Sequence, residues 1–253
     1  MTLEIDAKRW CEGRVRDLQQ WTDTLFSIRL EADVDPFIAG QFTKLGLEIG
    51  DELVSRPYSY VNAPDDPLLE FYFVTVPDGP LTNKMVELKS GDAIWVMRRA
   101  AGFLTLNEVP DSRHLWLLST GTAIGPFLSI LKTEQPWQRF ERVVLVHAVR
   151  LAAELSFRQT IESLRSRYPT QFQFIPFASR EDTDFAIRAR IPASIADGRL
   201  EAAAGMAFSP ESSQIMICGN PEMVKSTQSI LEERGLSRNR RRAPGHLSVE
   251  NYW

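Results

Sequence analysis

Leu115-Trp116-Leu117-Leu118-Ser119-Thr120-Gly121-Thr122-Ala123-Ile124-Gly125-Pro126-Phe127 is the stretch on which the reading of the fold turns. Four continuous apolar residues read as a strand buried on both faces. They run into small residues and then into a helix candidate, Gly125 to Lys132. The same order recurs downstream. Further strand candidates are Val143–Val146, Phe172–Ile175 and Ile215–Ile217, and further helix candidates are Leu155–Arg167 and Pro221–Arg234. Short apolar strands separated by helices predict a parallel sheet covered on both faces. Such sheets bind ligands beyond the C-terminal ends of their strands.

Several of those strand ends carry chemistry. Glycines and small side chains at Ser119–Phe127 let backbone approach a pyrophosphate, and a helix start favours an anion. The pattern is not GxGxxG, and a bare turn of this kind is most often only a loop. Cys218-Gly219-Asn220-Pro221-Glu222-Met223 follows the last strand. A cysteine there is placed to meet a ligand, although a buried structural thiol is the commoner case. Arg150 follows the second strand, Arg180 the third, and Arg190 lies further along that connection. Together at one sheet edge they suit a phosphate such as the 2′-phosphate of NADP. The tail holds four arginines between Arg238 and Arg242 and stops at Glu250-Asn251-Tyr252-Trp253. A charge run near a terminus is usually solvated, but two terminal aromatics call for a packing surface.

Upstream the pattern is different. Leu25–Leu30 and Leu69–Val76 are rich in aromatic and β-branched residues, and turn signals fall at Asp35-Pro36, Ala39-Gly40, Ile49-Gly50-Asp51, Ala63–Pro67 and Ser90-Gly91-Asp92. This spacing predicts an antiparallel β-barrel. Between the extended runs Asp51–Ser55 and Tyr60–Asn62 lies Arg56-Pro57-Tyr58-Ser59. A guanidinium for phosphate, a ring for stacking and a hydroxyl are the parts that hold a flavin. On a strand, Arg and Tyr at alternate positions are equally an ordinary solvated face. Leu81 to Lys89 reads as a helix capped by Thr82. The change of pattern near Ala100–Arg113 divides the chain into residues 1–106 and 107–253.

Composition bounds the rest. The 253 residues are 43% hydrophobic and 25% charged with a net charge of −4, as expected of a soluble globular protein without a general nucleic-acid partner. No apolar run approaches a membrane span, and Met1–Arg9 does not read as a signal peptide. Two cysteines and three scattered histidines suggest neither a disulfide framework nor a metal site. A reduced, cytoplasmic, monomeric protein is the expectation.

In this order, Gly40-Gln41-Phe42, Arg56-Pro57-Tyr58-Ser59, the Gly121-Thr122 loop, Cys218–Met223 and Tyr252-Trp253 resemble the ferredoxin/flavodoxin–NADP⁺ reductases of the short bacterial type. The resemblance runs over essentially the whole chain. It implies that the N-terminal barrel binds FAD and the C-terminal α/β domain binds NADP(H). It carries FAD onto Arg56, Pro57, Tyr58 and Ser59, with Phe73, Val74, Thr75, Pro80, Leu81 and Thr82 along the ribityl chain and diphosphate. Thr122 matches a residue near the flavin and the nicotinamide path. Val149, Arg150, Ser179, Arg180 and Arg190 fit the pattern for NADP. Many members have Gly-Thr-Gly-Ile-Ala-Pro where this chain has Gly121–Pro126 with the small residues exchanged.

The activity so implied is electron transfer between NADPH and flavodoxin or ferredoxin, through hydride transfer to flavin N5 and release of single electrons. Ser59 and Cys218 would flank that contact, with Glu250 in a supporting polar role. Tyr252 and Trp253 would return to the flavin, where Trp253 covers the ring. Two alternatives share the fold: an NAD(P)H:flavin oxidoreductase, and a flavin-binding electron-transfer subunit. The latter often adds a cysteine cluster, which is absent here.

Overall fold

The computed structural model describes residues 5–252. The chain divides into two compact units, residues 1–105 with 128–133, and residues 106–127 with 134–253.

The first unit is a six-stranded antiparallel sheet made of β1 (Trp10–Gln20), β2 (Leu25–Glu31), β3 (Phe42–Ile49), β4 (Glu52–Ser59), β5 (Leu69–Val74) and β6 (Ala93–Met97), in the order β4-β3-β6-β1-β2-β5. Helix α1 (Pro80–Met85) lies between β5 and β6. Alternation places the core: in β1, Cys11, Gly13 and Val15 are buried while Glu12, Arg14 and Arg16 face out. The sheet curls until its two edges meet. Tyr60 bridges Phe71, and the Val61 N–H donates to the Glu70 carbonyl at 2.8 Å. This contact protects edges that would otherwise invite pairing with another chain. Glu70 is a buried carboxylate, and Arg29 and Lys132 each approach it at 3.2 Å. Ser129 donates to the Asn62 carbonyl at 2.6 Å, so residues 128–133 belong with this unit.

The second unit is an all-parallel sheet. Its elements in order are β7 (His114–Thr120), the start of α2 (Gly125–Leu131, whose residues from 128 on belong to the first unit), α3 (Gln135–Arg139), β8 (Arg142–Val149), α4 (Arg158–Arg167), β9 (Phe172–Ala178), α5 (Ile191–Ala196), α6 (Arg199–Ala204), β10 (Ser213–Gly219), α7 (Pro221–Glu233) and β11 (Leu247–Asn251). The strand order is β11-β10-β7-β8-β9. Every residue of β10 is buried, which means that both faces are covered, as the apolar runs predict. Each large apolar side chain enclosed in this way contributes about 1.5–3 kcal/mol.

Arg56–Ser59 continues the extended run before it as the end of β4, with Pro57 in an edge strand where no ladder N–H is needed. Two local expectations are corrected. The helix expected over Leu81–Lys89 ends at Met85. Beyond it the Ser90–Asp92 turn draws the chain onto β1, with the Gly91 N–H on the Val15 carbonyl and the Lys89 N–H on the Asp92 carboxylate. The helix expected from Leu155 begins at Arg158, since Phe157 takes a left-handed conformation (φ 60°) that interrupts any earlier turn.

Candidate functional site

In the first unit, β4 sets Arg56, Tyr58 and Ser59 on an edge opposite Leu45, Thr43 and Phe42 of β3. Arg56 is exposed and forms no ion pair among the described residues; its guanidinium donates only to the Ser55 carbonyl, at 2.7 Å. Tyr58 is half-buried and stands edge-on to Phe73, with ring centroids 6.2 Å apart. Burial pushes its phenol up to about 12, partly offset by the Arg56 charge, so the ring stays neutral. Ser59 is buried at the end of the strand. The Tyr58–Phe73 contact brings β4 together with β5, where Phe73, Val74 and Thr75 follow. Phe73 is buried, and the Thr75 N–H is spent on the Thr24 carbonyl at 2.8 Å.

The turn before α1 differs from its expected form. Gly79, not Thr82, occupies the cap position, with Pro80 as the first helical residue. Thr82 lies inside the helix, and its hydroxyl accepts the Val76 N–H at 3.2 Å. Leu81 and Thr82 keep the free N–H groups that open any helix. An unpaired cation, a half-buried aromatic plate and two spare N–H donors match the chemistry of a flavin nucleotide: phosphate charge, ring and diphosphate oxygens.

In the second unit the strand ends converge. Ser179 donates to the Val149 carbonyl through both its N–H (3.0 Å) and its hydroxyl (3.1 Å), and the Arg180 N–H donates to the Arg150 carbonyl at 2.9 Å. Thus β8 and β9 stay in register past their ends and place Arg150 beside Arg180. Both side chains are exposed, as is that of Arg190 at the cap of α5, and none of the three is in an ion pair among the described residues. Exposed arginines that lack a carboxylate are available to a phosphate.

Nearer the sheet centre, the register pairs His147 with Ser119, Ser119 with Cys218 and Cys218 with Glu250, one polar row across β8, β7, β10 and β11. Cys218 is fully buried, and desolvation, with the Glu250 charge adding to it, raises its thiol well above the usual range. It is a neutral thiol held at a strand end. Burial lifts Glu250 to about 7. The native state therefore holds this proton where the unfolded chain has lost it, and stability falls as pH rises between about 4.5 and 7. Glu250→Gln should consequently gain in thermal midpoint over the parent across that window, with a constant gap above it. Parallel midpoint curves from pH 5 to 8 would show an ordinary carboxyl.

Gly219 sits at φ +142°, and a Cβ there would lie 2.0 Å from the Thr120 hydroxyl, so only glycine fits. That hydroxyl accepts the Asn220 N–H at 3.0 Å, and Asn220 caps α7 through the N–H groups of Glu222 and Met223. A cap of this kind is worth about 1 kcal/mol. Thr122 is buried in the small-residue turn. The tail returns to the sheet as β11, and the Tyr252 N–H donates to the Gly219 carbonyl at 2.9 Å. The lid expected of Trp253 lies outside the described residues. Sequence reading overlooked His147 and Thr120. One is an apparent core residue in an apolar strand and the other an ordinary strand-end threonine, and neither carries a motif.

An antiparallel curled sheet with an arginine–aromatic edge, and a parallel sheet with arginines past its strand ends, define a two-domain nucleotide-dependent oxidoreductase. Residues 117–229 match the family described as oxidoreductase NAD-binding domain. The chain is 51% identical to a flavodoxin/ferredoxin–NADP reductase of Shigella flexneri over 96% of its own length and 99% of that protein. It is 50% identical, with the same coverage, to the protein of that name from Escherichia coli (strain K12). Among solved structures it superposes with a TM-score of 0.92 on a ferredoxin NADP⁺ reductase from Neisseria gonorrhoeae with bound FAD and NADP, at 34% identity over 97% of this chain and 99% of that one. The chain belongs to the flavodoxin/ferredoxin–NADP reductase family.

Proposed function

We propose that this chain is an FAD-dependent reductase that moves electrons between NADPH and flavodoxin or ferredoxin, with the first unit binding FAD and the second NADP(H). The observation that supports this best is the breadth of its kinship, since relatives bearing that name align over 96% of this chain and 99% of their own. Bound FAD supplies the conversion of a two-electron donor into single electrons. The protein supplies binding and alignment.

In this reading Arg56 neutralises FAD phosphate charge, Tyr58 stacks on the ring system, and Pro57 stiffens the strand between them. Ser59, Phe73, Val74, Thr75, Pro80, Leu81 and Thr82 line the remainder. Arg150, Arg180 and Arg190 hold the 2′-phosphate, with Val149 and Ser179 fixing their backbone. Thr122, Cys218 and Glu250 serve the nicotinamide end, joined by Tyr252 and Trp253. Cys218 acts as a dry, uncharged wall, and Glu250 supplies a carboxyl that burial keeps partly protonated near neutral pH. The protein works as a monomer in the cytoplasm.

Docking of an acidic carrier gives the test. Arg238, Arg240 and Arg242 are exposed and form no ion pair among the described residues, whereas Arg241 is paired with Glu108 at 2.7 Å. Lys44 is likewise exposed. Such local charge steers a carrier despite the net charge of −4. NADPH-driven reduction of flavodoxin or ferredoxin should fall steeply with salt, while reduction of a neutral dye should hold. Absence of carrier reduction at low salt, with dye reduction intact, would contradict the reading.

A further inference from the structure

His147 is a buried imidazole on β8 for which neither the flavin site nor the arginine site has a use. Its Nε2 lies 3.0 Å from the Gly121 carbonyl oxygen. A carbonyl only accepts, so Nε2 carries the proton and Nδ1 is the bare lone pair. Nδ1 is buried and has no partner among the described residues. A dry, unpaired ring nitrogen is a cost that an apolar side chain of similar size would avoid. What the imidazole provides in return is the bond to Gly121.

That bond acts with the 3-10 turn Gly121–Ile124 to hold its first peptide in one direction. The peptide joining Gly121 to Thr122 is trans, so its C=O and N–H point to opposite sides. With the Gly121 carbonyl drawn onto His147, the Thr122 N–H faces away from the core. It has no acceptor among the described residues. The residue before the turn is also held, because the Thr120 hydroxyl accepts the Asn220 N–H. Both anchors lie on the protein side of the turn and leave one donor facing outward.

The place of that donor in the sheet identifies what it meets. Arg150 and Arg180 follow β8 and β9, the two strands on one side of the central β7, which Gly121 follows. Neighbouring strands lie roughly 4.8 Å apart, so a dinucleotide whose 2′-phosphate sits beyond β8 and β9 can extend its other half over β7. We propose that His147 is a positioning residue for NADP(H): by holding the Gly121 carbonyl it aims the Thr122 N–H at the pyrophosphate–nicotinamide half of the coenzyme. This rests on the NADP(H) reading above. The ring is suited to the task, since burial keeps its pKa at about 4 and so leaves it neutral at ordinary pH.

The test compares two ligands by calorimetry on the flavin-loaded protein. Adenosine 2′,5′-bisphosphate reaches only the arginines, whereas NADP⁺ reaches the turn as well. His147→Leu should weaken NADP⁺ binding about tenfold, the loss of one hydrogen bond to a charged group, and leave the bisphosphate within about twofold. His147→Gln, whose side-chain N–H can occupy the Nε2 position, should recover most of the NADP⁺ affinity. His147→Asn, too short to reach Gly121, should not, and it replaces the leucine variant if that fails to fold. Equal weakening of both ligands, or NADP⁺ affinity unchanged in His147→Asn, overturns the inference. A parent protein that binds neither ligand sinks the NADP(H) reading and this inference with it.

Discussion

The double variant Arg56→Ala/Tyr58→Ala is expected to purify without flavin. Arg56 is an exposed cation with no ion pair among the described residues, so its removal strands no carboxylate and costs the fold little. Against a phosphate it contributes roughly 1.5–3 kcal/mol, as charge-assisted hydrogen bonds do. A stacked ring adds about 0.5–1.5 kcal/mol. The combined loss is about thirtyfold to two-thousandfold in affinity, enough for FAD to be lost in gel filtration. Tyr58→Phe separates stacking from hydrogen bonding. It keeps the ring and its edge contact with Phe73, so flavin should stay bound. A double variant that emerges fully yellow would show that β4 is not the flavin strand.

The second large effect concerns coenzyme choice. Arg150, Arg180 and Arg190 are exposed and form no ion pairs among the described residues, so alanine at any of them should leave the thermal midpoint within about a degree. Arg180→Ala or Arg190→Ala should raise KM for NADPH by about tenfold to a hundredfold while KM for NADH barely moves. The triple variant should lose most of its preference for NADPH. Equal losses with both coenzymes would mark these arginines as supports of the β9–α5 connection instead.

Much of this architecture is readable from residue order, for definite reasons. Strands β7, β8 and β10 contain continuous apolar runs because they are buried on both faces, and that pattern needs no partner to be recognised. β1, β3 and β6 are harder to see. In β1 the buried Cys11, Gly13 and Val15 alternate with charged residues, and in β3 Lys44 and Gly46 interrupt the apolar pattern. Their identity as strands depends on pairing across the sheet, which a linear reading does not contain. β11 is two apolar residues in a polar tail, Leu247 and Val249, and is a strand only because β10 offers it an edge.

The site divides in the same way. Arg56 and Tyr58, and the arginines after β8 and β9, stand out by residue type and spacing. Thr82 was expected at the helix cap because a threonine near a helix start usually serves there, yet the cap falls on Gly79, three residues earlier. His147 and Thr120 act through single hydrogen bonds to backbone on other strands. Contacts made over 26 and 100 residues of chain leave no local signature.

One titration bears most directly on the central claim. The purified protein, kept free of oxygen, is followed by its visible spectrum while NADPH is added, and oxidised flavodoxin or ferredoxin is then supplied. The account predicts a flavin spectrum that bleaches with one equivalent of NADPH, responds far less to NADH at the same concentration, and returns when the carrier is added. A colourless protein that reduces only free flavin, or a bound flavin that NADPH bleaches but no carrier restores, would contradict it.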